Sequence, residues 1–541
     1  MKMQSLGNKY ITIFLFVLVV ILSSLMRFYN FNNLQYFSGD EEILHAILRR
    51  MVVEGKPALV IPNAQIGGSI GSLFHVLSVP IFYLTNSNPS LVQLFGSALG
   101  IVTTVAIYFV GRMILGHLMG FFAGILYGGS FLISLFDRRF WPLTPDPLLS
   151  ILAIAALIQL TRKKYKYALM LAIPASFAWQ ADPTNAVILV AIFLSFIFLR
   201  LPILRREYIP ALIYLTFAIL PLLIFELRHP GTIFRPLILH LLSRSESSLS
   251  NVMNLLSIHP LAIVENTSRS IAIAASNSID QYFCYCKFYP NPPFSPLPQV
   301  LTTAFILYAL FWLIRANDQR QLRDSIKVLF IFLFAFLLGI ILYSVTSGYL
   351  VYQHYFVTIF PTFILLAAFT LDRVLRTRAA IFSWVFLLGF IFVNLFSLFN
   401  STFKYPVSQK MELIYRIIPY IENSSFSVYG YGGKRMTDGG WTTFFIRKDH
   451  HPSRSHLNGG WDWIYRTHSL YTTNPDQGEG KRIVIFHDTS EDPFSSTKFK
   501  DQIYGRERIG NIQATILNNT SLTFEQEILD ELQKEYANNE F

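Results

Sequence analysis

The fold is decided by long apolar runs, of which the first is residues 10–26, YITIFLFVLVVILSSLM. A membrane-spanning helix needs about 20 mostly apolar residues to cross roughly 30 Å of hydrocarbon. This run follows Lys2 and Lys9, and the chain continues with Arg27 instead of a small-residue cleavage site. We therefore expect a retained anchor that begins on the cytoplasmic side, rather than a signal peptide.

The composition of the whole chain also indicates a membrane protein. Of the 541 residues, 52% are hydrophobic and only 14% are charged, which excludes disorder and is too apolar for soluble domains. The net charge of +11 is carried largely beside the apolar runs. It therefore indicates orientation in a lipid bilayer, and we do not expect a nucleic-acid partner.

Further runs are predicted to span at residues 91–110, 118–136, 147–160, 167–180, 186–199, 208–226, 298–314, 327–347, 355–371 and 379–399. The run at 69–85 is short and is interrupted by Gly71, His75 and Pro80. If 69–85 does not span, every strongly basic short loop lies inside, as the positive-inside rule requires. We interpret it as an interfacial or re-entrant helix and expect about eleven spans. The amino terminus is then cytoplasmic and the carboxyl terminus is extracytoplasmic.

The predicted fold class is an α-helical polytopic membrane protein with a small C-terminal α/β domain on the outer face. Residues 1–399 form the transmembrane domain, with a first outer loop at 27–90 and a large outer loop at 227–297. Residues 400–541 are more polar, and we expect a soluble extracytoplasmic domain there. A helical pattern that starts at Met411 precedes strand-like runs at 426–431, 483–486 and 512–517.

The first outer loop carries a cluster of acidic residues, Asp40, Glu41 and Glu42. One of these carboxylates could be a general base. The alternative is that Asp40 is the N-cap of a helix that starts at Glu41. The apolar residues between Ile43 and Val53 recur at helical spacing, which suits a helix lying on the membrane surface.

Other candidate positions lie at the predicted outer ends of spans. Arg138 and Arg139 are adjacent on the outer side, against the positive-inside trend, so they call for an anionic lipid headgroup or a bound phosphate or diphosphate. Asp146 precedes Pro147 and would suit a helix N-cap as well as a functional carboxylate. His354 is either an interfacial residue or part of a site with its neighbours.

In order and topology, these features resemble the GT-C superfamily of integral-membrane glycosyltransferases, especially its bacterial protein-mannosyltransferase-like and aminoarabinose-transferase-like branch. The resemblance covers roughly residues 10–400. The motifs that carry it are Gly39-Asp40-Glu41-Glu42, Gly111-Arg112-Met113-Ile114-Leu115-Gly116, Arg138-Arg139 leading to Asp146, and Gln353-His354-Tyr355-Phe356 followed by Pro361.

The resemblance implies transfer of a sugar from a polyprenyl-phosphate donor to an acceptor on the outer face, by an inverting displacement. It implies that the base is Asp40 or Glu41, and that the second acidic position is Asp146 or Asp137. The residues that would bind the donor phosphate are Arg138, Arg139, His354 and Tyr355. The acceptor would be a glycan, a lipid or a protein.

The sequence supports no cofactor and leaves a divalent metal open. His450, His451 and His456 are loosely spaced and have no cysteine partners, so no metal site is predicted there. The alternative functions are a lipid-linked glycan transporter or flippase and a non-catalytic cell-envelope assembly protein. In each case we expect an integral protein of the plasma (inner) membrane.

Overall fold

The structure is a computed structural model, and it is mostly helical, at 69%. It describes residues 2–539 except for 54, 64–67, 234, 236–238, 240–259, 280–295, 316–318, 348–351, 423, 433–435, 437–438, 456–480 and 495–498. The described chain divides into two compact units. The first unit comprises residues 1–31, 58–77 and 94–401, and the second comprises 32–57, 78–93 and 402–541.

The helices follow the predicted apolar runs closely. In chain order they are α1 (Lys2–Phe28), α2 (Gly39–Val53), α3 (Leu73–Leu84), α4 (Pro89–Leu115), α5 (His117–Gly128), α6 (Phe131–Asp137), α7 (Asp146–Thr161), α8 (Ala168–Phe177), α9 (Ala186–Phe198), α10 (Ile209–Arg228), α11 (Pro260–Ser268), α12 (Pro296–Arg315), α13 (Arg320–Ser347), α14 (Phe360–Leu375), α15 (Ala380–Phe399), α16 (Val407–Ile421), α17 (Trp441–Ile446) and α18 (Leu522–Asn539).

Six of the described helices are long and apolar enough to cross a membrane, and a bent pair of helices brings the number to seven. The protein is therefore an integral, multi-pass membrane protein. The runs at 147–160, 167–180, 186–199 and 355–371 are also helical, but the helices there are shorter, so the count of eleven spans stays a prediction. Helix α3 has 12 residues, about 18 Å at 1.5 Å per residue, which is too short to span.

The bent pair consists of α5 and α6, which meet at 66°. The break is hydrogen-bonded rather than open. Ser130 caps α6 by accepting from the backbone N–H of Ile133, and its own hydroxyl donates to Ser270 O at 2.6 Å. The Asn394 side chain accepts from the backbone N–H of Phe131 at 2.8 Å. A helix break at membrane depth needs such partners, because water is not there to supply them.

The second unit holds a mixed five-stranded sheet in the order β4-β3-β5-β7-β6. The strands are β3 (Phe426–Gly430), β4 (Arg454–Ser455), β5 (Arg482–Asp488), β6 (Ile503–Ile509) and β7 (Ile512–Asn518); β1 (Val60–Asn63) and β2 (Gly68–Gly71) form a hairpin in the first unit. β3 is parallel to β4 and β5, and β7 is antiparallel to β5 and β6. The core includes Trp441, which stacks on Phe486 at 3.9 Å. The predicted fold class, helical with a small C-terminal α/β domain, is confirmed.

Two details of the first outer loop differ from the sequence interpretation. The apolar side of α2 is covered by protein, since Leu44, Ile47 and Leu48 are at most 3% exposed. The helix therefore does not present that face to lipid. In addition, residues 32–57 and 78–93 pack in the same compact unit as residues 402–541.

Candidate functional site

A buried ion pair joins the end of α1 to the end of α6 in the first unit. Arg27 Nε donates to Asp137 Oδ2 at 2.9 Å, and its Nη1 donates to Ser23 Oγ at 2.8 Å and to Gly128 O at 3.0 Å. Asp137, the alternative to Asp146 as the second acidic position, is thus engaged by Arg27. Helix α4 packs here through Gly100, where an added methyl group would overlap both charged side chains.

Arg138 follows directly and is also fully buried. Its Nη2 donates to Met26 O at 2.8 Å and to Tyr29 O at 2.9 Å, at the end of α1. Its Nε and Nη1 have no hydrogen-bond partner among the described residues. Burial of a guanidinium with unused N–H groups is costly unless an anion or another acceptor takes them. Two N–H groups of this fixed guanidinium are therefore not used by the described residues.

Arg139 begins a series of contacts between planar side chains. Its guanidinium lies 3.6 Å from the centroid of the Trp141 ring, and that ring meets His354 edge-on at 5.3 Å. Tyr355 lies 4.4 Å from His354, ring to ring. This cluster thus brings four side chains together, among them three of the sequence-predicted donor-binding residues: Arg139, His354 and Tyr355.

Burial, and then the nearby Arg139 cation, lower the pKa of His354 from 6.5 to about 3. The imidazole is therefore neutral at neutral pH. It offers a hydrogen bond rather than a positive charge. Within these four side chains, the positive charge is that of Arg139.

Asp146 opens α7 and is fully buried. Its Oδ1 accepts from Asn185 Nδ2 at 2.8 Å, and its Oδ2 accepts from the hydroxyl of Thr358 at 3.4 Å. The carboxylate therefore links α7 to the 3₁₀ segment Gln353–Thr358, which carries His354. A further anchor holds the same segment, because Arg269 Nη1 donates to Gln353 Oε1 at 3.0 Å.

The acidic cluster lies in the second unit, at the start of α2. Ser38, rather than Asp40, precedes the helix, and both its backbone N–H and its hydroxyl donate to Glu41 Oε2, at 2.9 and 2.7 Å. The Glu41 contact is one half of a capping box, in which the side chain of the third helical residue accepts from the backbone N–H of the N-cap. Glu42 is buried and accepts from the backbone N–H of Thr443 at 3.1 Å. Asp40 is the exposed member of the three.

The sequence interpretation missed Arg27, Asn185, Thr358 and Arg269, whose partners lie far along the chain. For Arg27 the sequence offered one signal, which is the spacing of Gly96 and Gly100. These two glycines lie about one turn apart on α4, and in the structure both face the end of α6. Among the described residues, no group of three or more His, Cys, Asp and Glu is arranged to hold a metal ion. His456 lies outside the described residues.

No family model matches the chain, and no curated protein matches it in sequence. Its fold is similar to that of ArnT, an aminoarabinose transferase, from Cupriavidus metallidurans. The structure of ArnT bound to undecaprenyl phosphate has a TM-score of 0.57 at 11% identity, over 94% of this chain and 98% of that one. The apo structure gives 0.53 at 12% identity, over 95% and 98%.

The oligosaccharyltransferase AglB from Archaeoglobus fulgidus, in complex with an inhibitory peptide and a dolichol-phosphate, gives a TM-score of 0.45 at 11% identity, over 95% of this chain and 75% of that one. The fold assignment rests on the two ArnT structures. With them, the predicted GT-C resemblance is confirmed at the level of the fold.

Proposed function

We propose that this chain is a membrane glycosyltransferase that transfers a sugar from a polyprenyl-phosphate donor to an acceptor, with inversion at the anomeric carbon. The observation that carries the proposal is Arg138, a buried guanidinium fixed by two carbonyls with Nε and Nη1 unused among the described residues. Each of these N–H groups can donate a charge-assisted hydrogen bond to a phosphate oxygen. The fold shared with ArnT, solved with undecaprenyl phosphate, supports a lipid-linked phosphate.

In the proposed reaction, an acceptor oxygen attacks the anomeric carbon while the bond from that carbon to the donor phosphate breaks. Asp40 takes the proton of the attacking hydroxyl, a contribution of about 10²–10⁴-fold. Asp40 is favoured over Glu41 as the base because the Glu41 carboxylate is buried and engaged by Ser38. The acceptor is a glycan, a lipid or a protein.

The polyprenyl phosphate leaves with the electron pair of the broken bond. Arg138 and Arg139 offset the charge on that phosphate, and His354 and Tyr355 complete the donor-phosphate site as neutral groups. We assign Asp146 to positioning, because its carboxylate is buried and holds the segment that carries His354. We place the protein in the plasma (inner) membrane. The distribution of basic loops favours a cytoplasmic amino terminus and an extracytoplasmic carboxyl terminus.

A transfer assay tests the proposal. Purified protein in lipid bilayers is incubated with radiolabelled polyprenyl-phosphate sugars and a crude envelope extract. Wild type is compared with Asp40→Asn and with Asp501→Asn, which alters an exposed carboxylate elsewhere in the second unit. We expect incorporation by wild type and Asp501→Asn and its loss in Asp40→Asn. Incorporation that survives in Asp40→Asn would move the base to another residue. No incorporation from any donor would favour a transporter, a flippase or an assembly protein.

A further inference from the structure

The chain just before Asp40 is held by side chains that are distant in sequence. Tyr36 O accepts from Gln93 Nε2 at 2.7 Å, and Phe37 O accepts from Lys410 Nζ at 3.0 Å. Both contacts lie within the second unit. The position of the acidic cluster is therefore set by tertiary contacts, and not by the local turn alone.

Lys410 is the more unusual of these two donors. It lies on α16 and is only 3% exposed, although lysine is almost never fully buried unless it is paired. Its Nζ donates to Gly439 O at 2.7 Å as well as to Phe37 O, and it lies 4.9 Å from the centroid of the Trp441 ring. A single cation thus ties the loop of the acidic cluster to the turn before α17.

Helix α17 contacts the same loop at further points. The backbone N–H of Thr443 donates to Glu42 Oε1, and the Phe37 ring lies 5.0 Å from the Phe444 ring. Gly440 has φ +74°, and an added methyl group there would meet the Phe37 ring at 2.5 Å. Only glycine satisfies both the backbone angle and the close approach. The C-terminal residues of the second unit therefore pack closely against residues 37–42.

We propose that Lys410 is a positioning residue for Asp40, so that the C-terminal residues of the second unit fix the base of the reaction. This inference rests on the proposed function, since it gives Asp40 a proton to remove. A general base must lie within hydrogen-bond reach of that proton. A displacement of about 1 Å by a distant substitution can reduce the rate by about 10²-fold. Lys410 contributes by holding the loop and takes no part in binding the donor phosphate.

The test compares Lys410→Met, which keeps the length and removes the charge, with Lys500→Met, which alters an exposed lysine of the same unit. The full-length protein in bilayers is assayed for kcat and for the donor KM. In parallel, amide hydrogen exchange is followed over residues 37–45.

We expect kcat to fall by about 10²-fold in Lys410→Met with the donor KM unchanged. We also expect exchange in that segment to be roughly tenfold faster, because a charge-assisted hydrogen bond is lost. Lys500→Met should match wild type in every readout.

Two further variants keep the inference testable if Lys410→Met does not fold. Lys410→Arg retains a cationic donor and should recover part of kcat. Gly440→Ala leaves Lys410 in place but displaces Phe37, and it should lower kcat in the same way. Unchanged exchange in folded Lys410→Met, or faster exchange with full kcat, would overturn the inference. A wild type that transfers no sugar would defeat the proposed function instead, while the exchange measurement would still decide whether Lys410 holds the segment.

Discussion

Arg27 Nη2 lies 2.5 Å from Asp137 Oδ2, between side chains that are 0% and 7% exposed and 110 residues apart in the chain. Removal of one partner leaves a buried charge uncompensated. We expect Arg27→Met to lower the free energy of unfolding by about 3–5 kcal/mol, measured in detergent or bilayers. The double variant Arg27→Met/Asp137→Leu should recover part of this loss.

Arg320→Met is the control for this prediction, because Arg320 is 83% exposed and lies 3.8 Å from Asp324. Exposed pairs of this kind contribute about 0–1 kcal/mol. An equal loss of stability in Arg320→Met and Arg27→Met would contradict the assigned role of the buried pair.

The close approach of α4 to the same ion pair gives a second prediction. A methyl group at Gly100 would overlap Asp137 and Arg27, so Gly100→Ala should destabilise the protein by about 1–3 kcal/mol. Gly389→Ala is the matched control in α15, where an added methyl group meets nothing within 4 Å. That change should be neutral, or stabilising by up to about 1 kcal/mol. Thermal unfolding of the two variants tests this prediction. A Gly100→Ala variant as stable as wild type would show that α4 can move away from the ion pair at little cost in free energy.

Arg138→Lys separates the charge of Arg138 from the geometry of its guanidinium. Lysine keeps the positive charge, but its single nitrogen cannot bond the two carbonyls of the α1 end and also place donors where Nε and Nη1 of Arg138 lie. Loss of a hydrogen bond to a charged group costs about 1.5–3 kcal/mol, so the donor KM should rise by roughly 10–100-fold. The measurement is the transfer assay with varied donor concentration. Arg206→Lys, at an exposed position, should leave KM unchanged. If KM in Arg138→Lys equalled that of wild type, Arg138 would have only a structural role.

Burial, and then the Arg447 cation, lower the pKa of His45 from 6.5 to about 3. Above pH 6.5 the imidazole is neutral in both folded and unfolded chains, and its contribution to stability is fully present. As the pH falls from 6.5 toward 3, only the unfolded chain binds the proton, so stability is lost. His45→Asn should reduce the slope of unfolding free energy against pH in this window by up to about 1.4 kcal/mol per pH unit.

The check on His45 is thermal unfolding of the full-length protein between pH 7 and pH 4. His229→Asn serves as the control, because that side chain is exposed when the protein is folded. Equal slopes for wild type and His45→Asn would mean that His45 takes up a proton without unfolding.

The helical part of the fold could be predicted because the residues of each long apolar run indicate on their own a segment that is kept from water. The same holds for β3, β5 and β7, whose apolar runs lie in the middle of the sheet. β6 was not predicted, because three consecutive charged residues, Arg506, Glu507 and Arg508, interrupt the apolar positions of this edge strand, Ile503–Ile509. Hydropathy indicates whether a residue is kept from water, but it does not indicate which segment that residue pairs with. An edge strand of this kind can therefore be recognised only once the fold is known.

The candidate site shows the same limit more sharply. The arginine pair and the acidic cluster could be named from residue type and membrane side. The roles of Glu41 and Asp146 could not, because they depend on contacts to Ser38, Asn185 and Thr358 that only the folded chain reveals. An acidic residue next to a helix start looks the same in sequence whether it caps the helix, holds a segment or remains exposed.

The hydrogen-bonded break between α5 and α6 also sets an order for biosynthesis. The acceptor for the Phe131 amide is the side chain of Asn394, 263 residues further along the chain. At about 5–20 residues per second, roughly 13–53 s of translation separate the two. During that interval the kinked segment lacks one of its stabilising contacts. Completion of this part of the protein therefore waits for the arrival of α15, and nascent chains that end before it remain candidates for quality control.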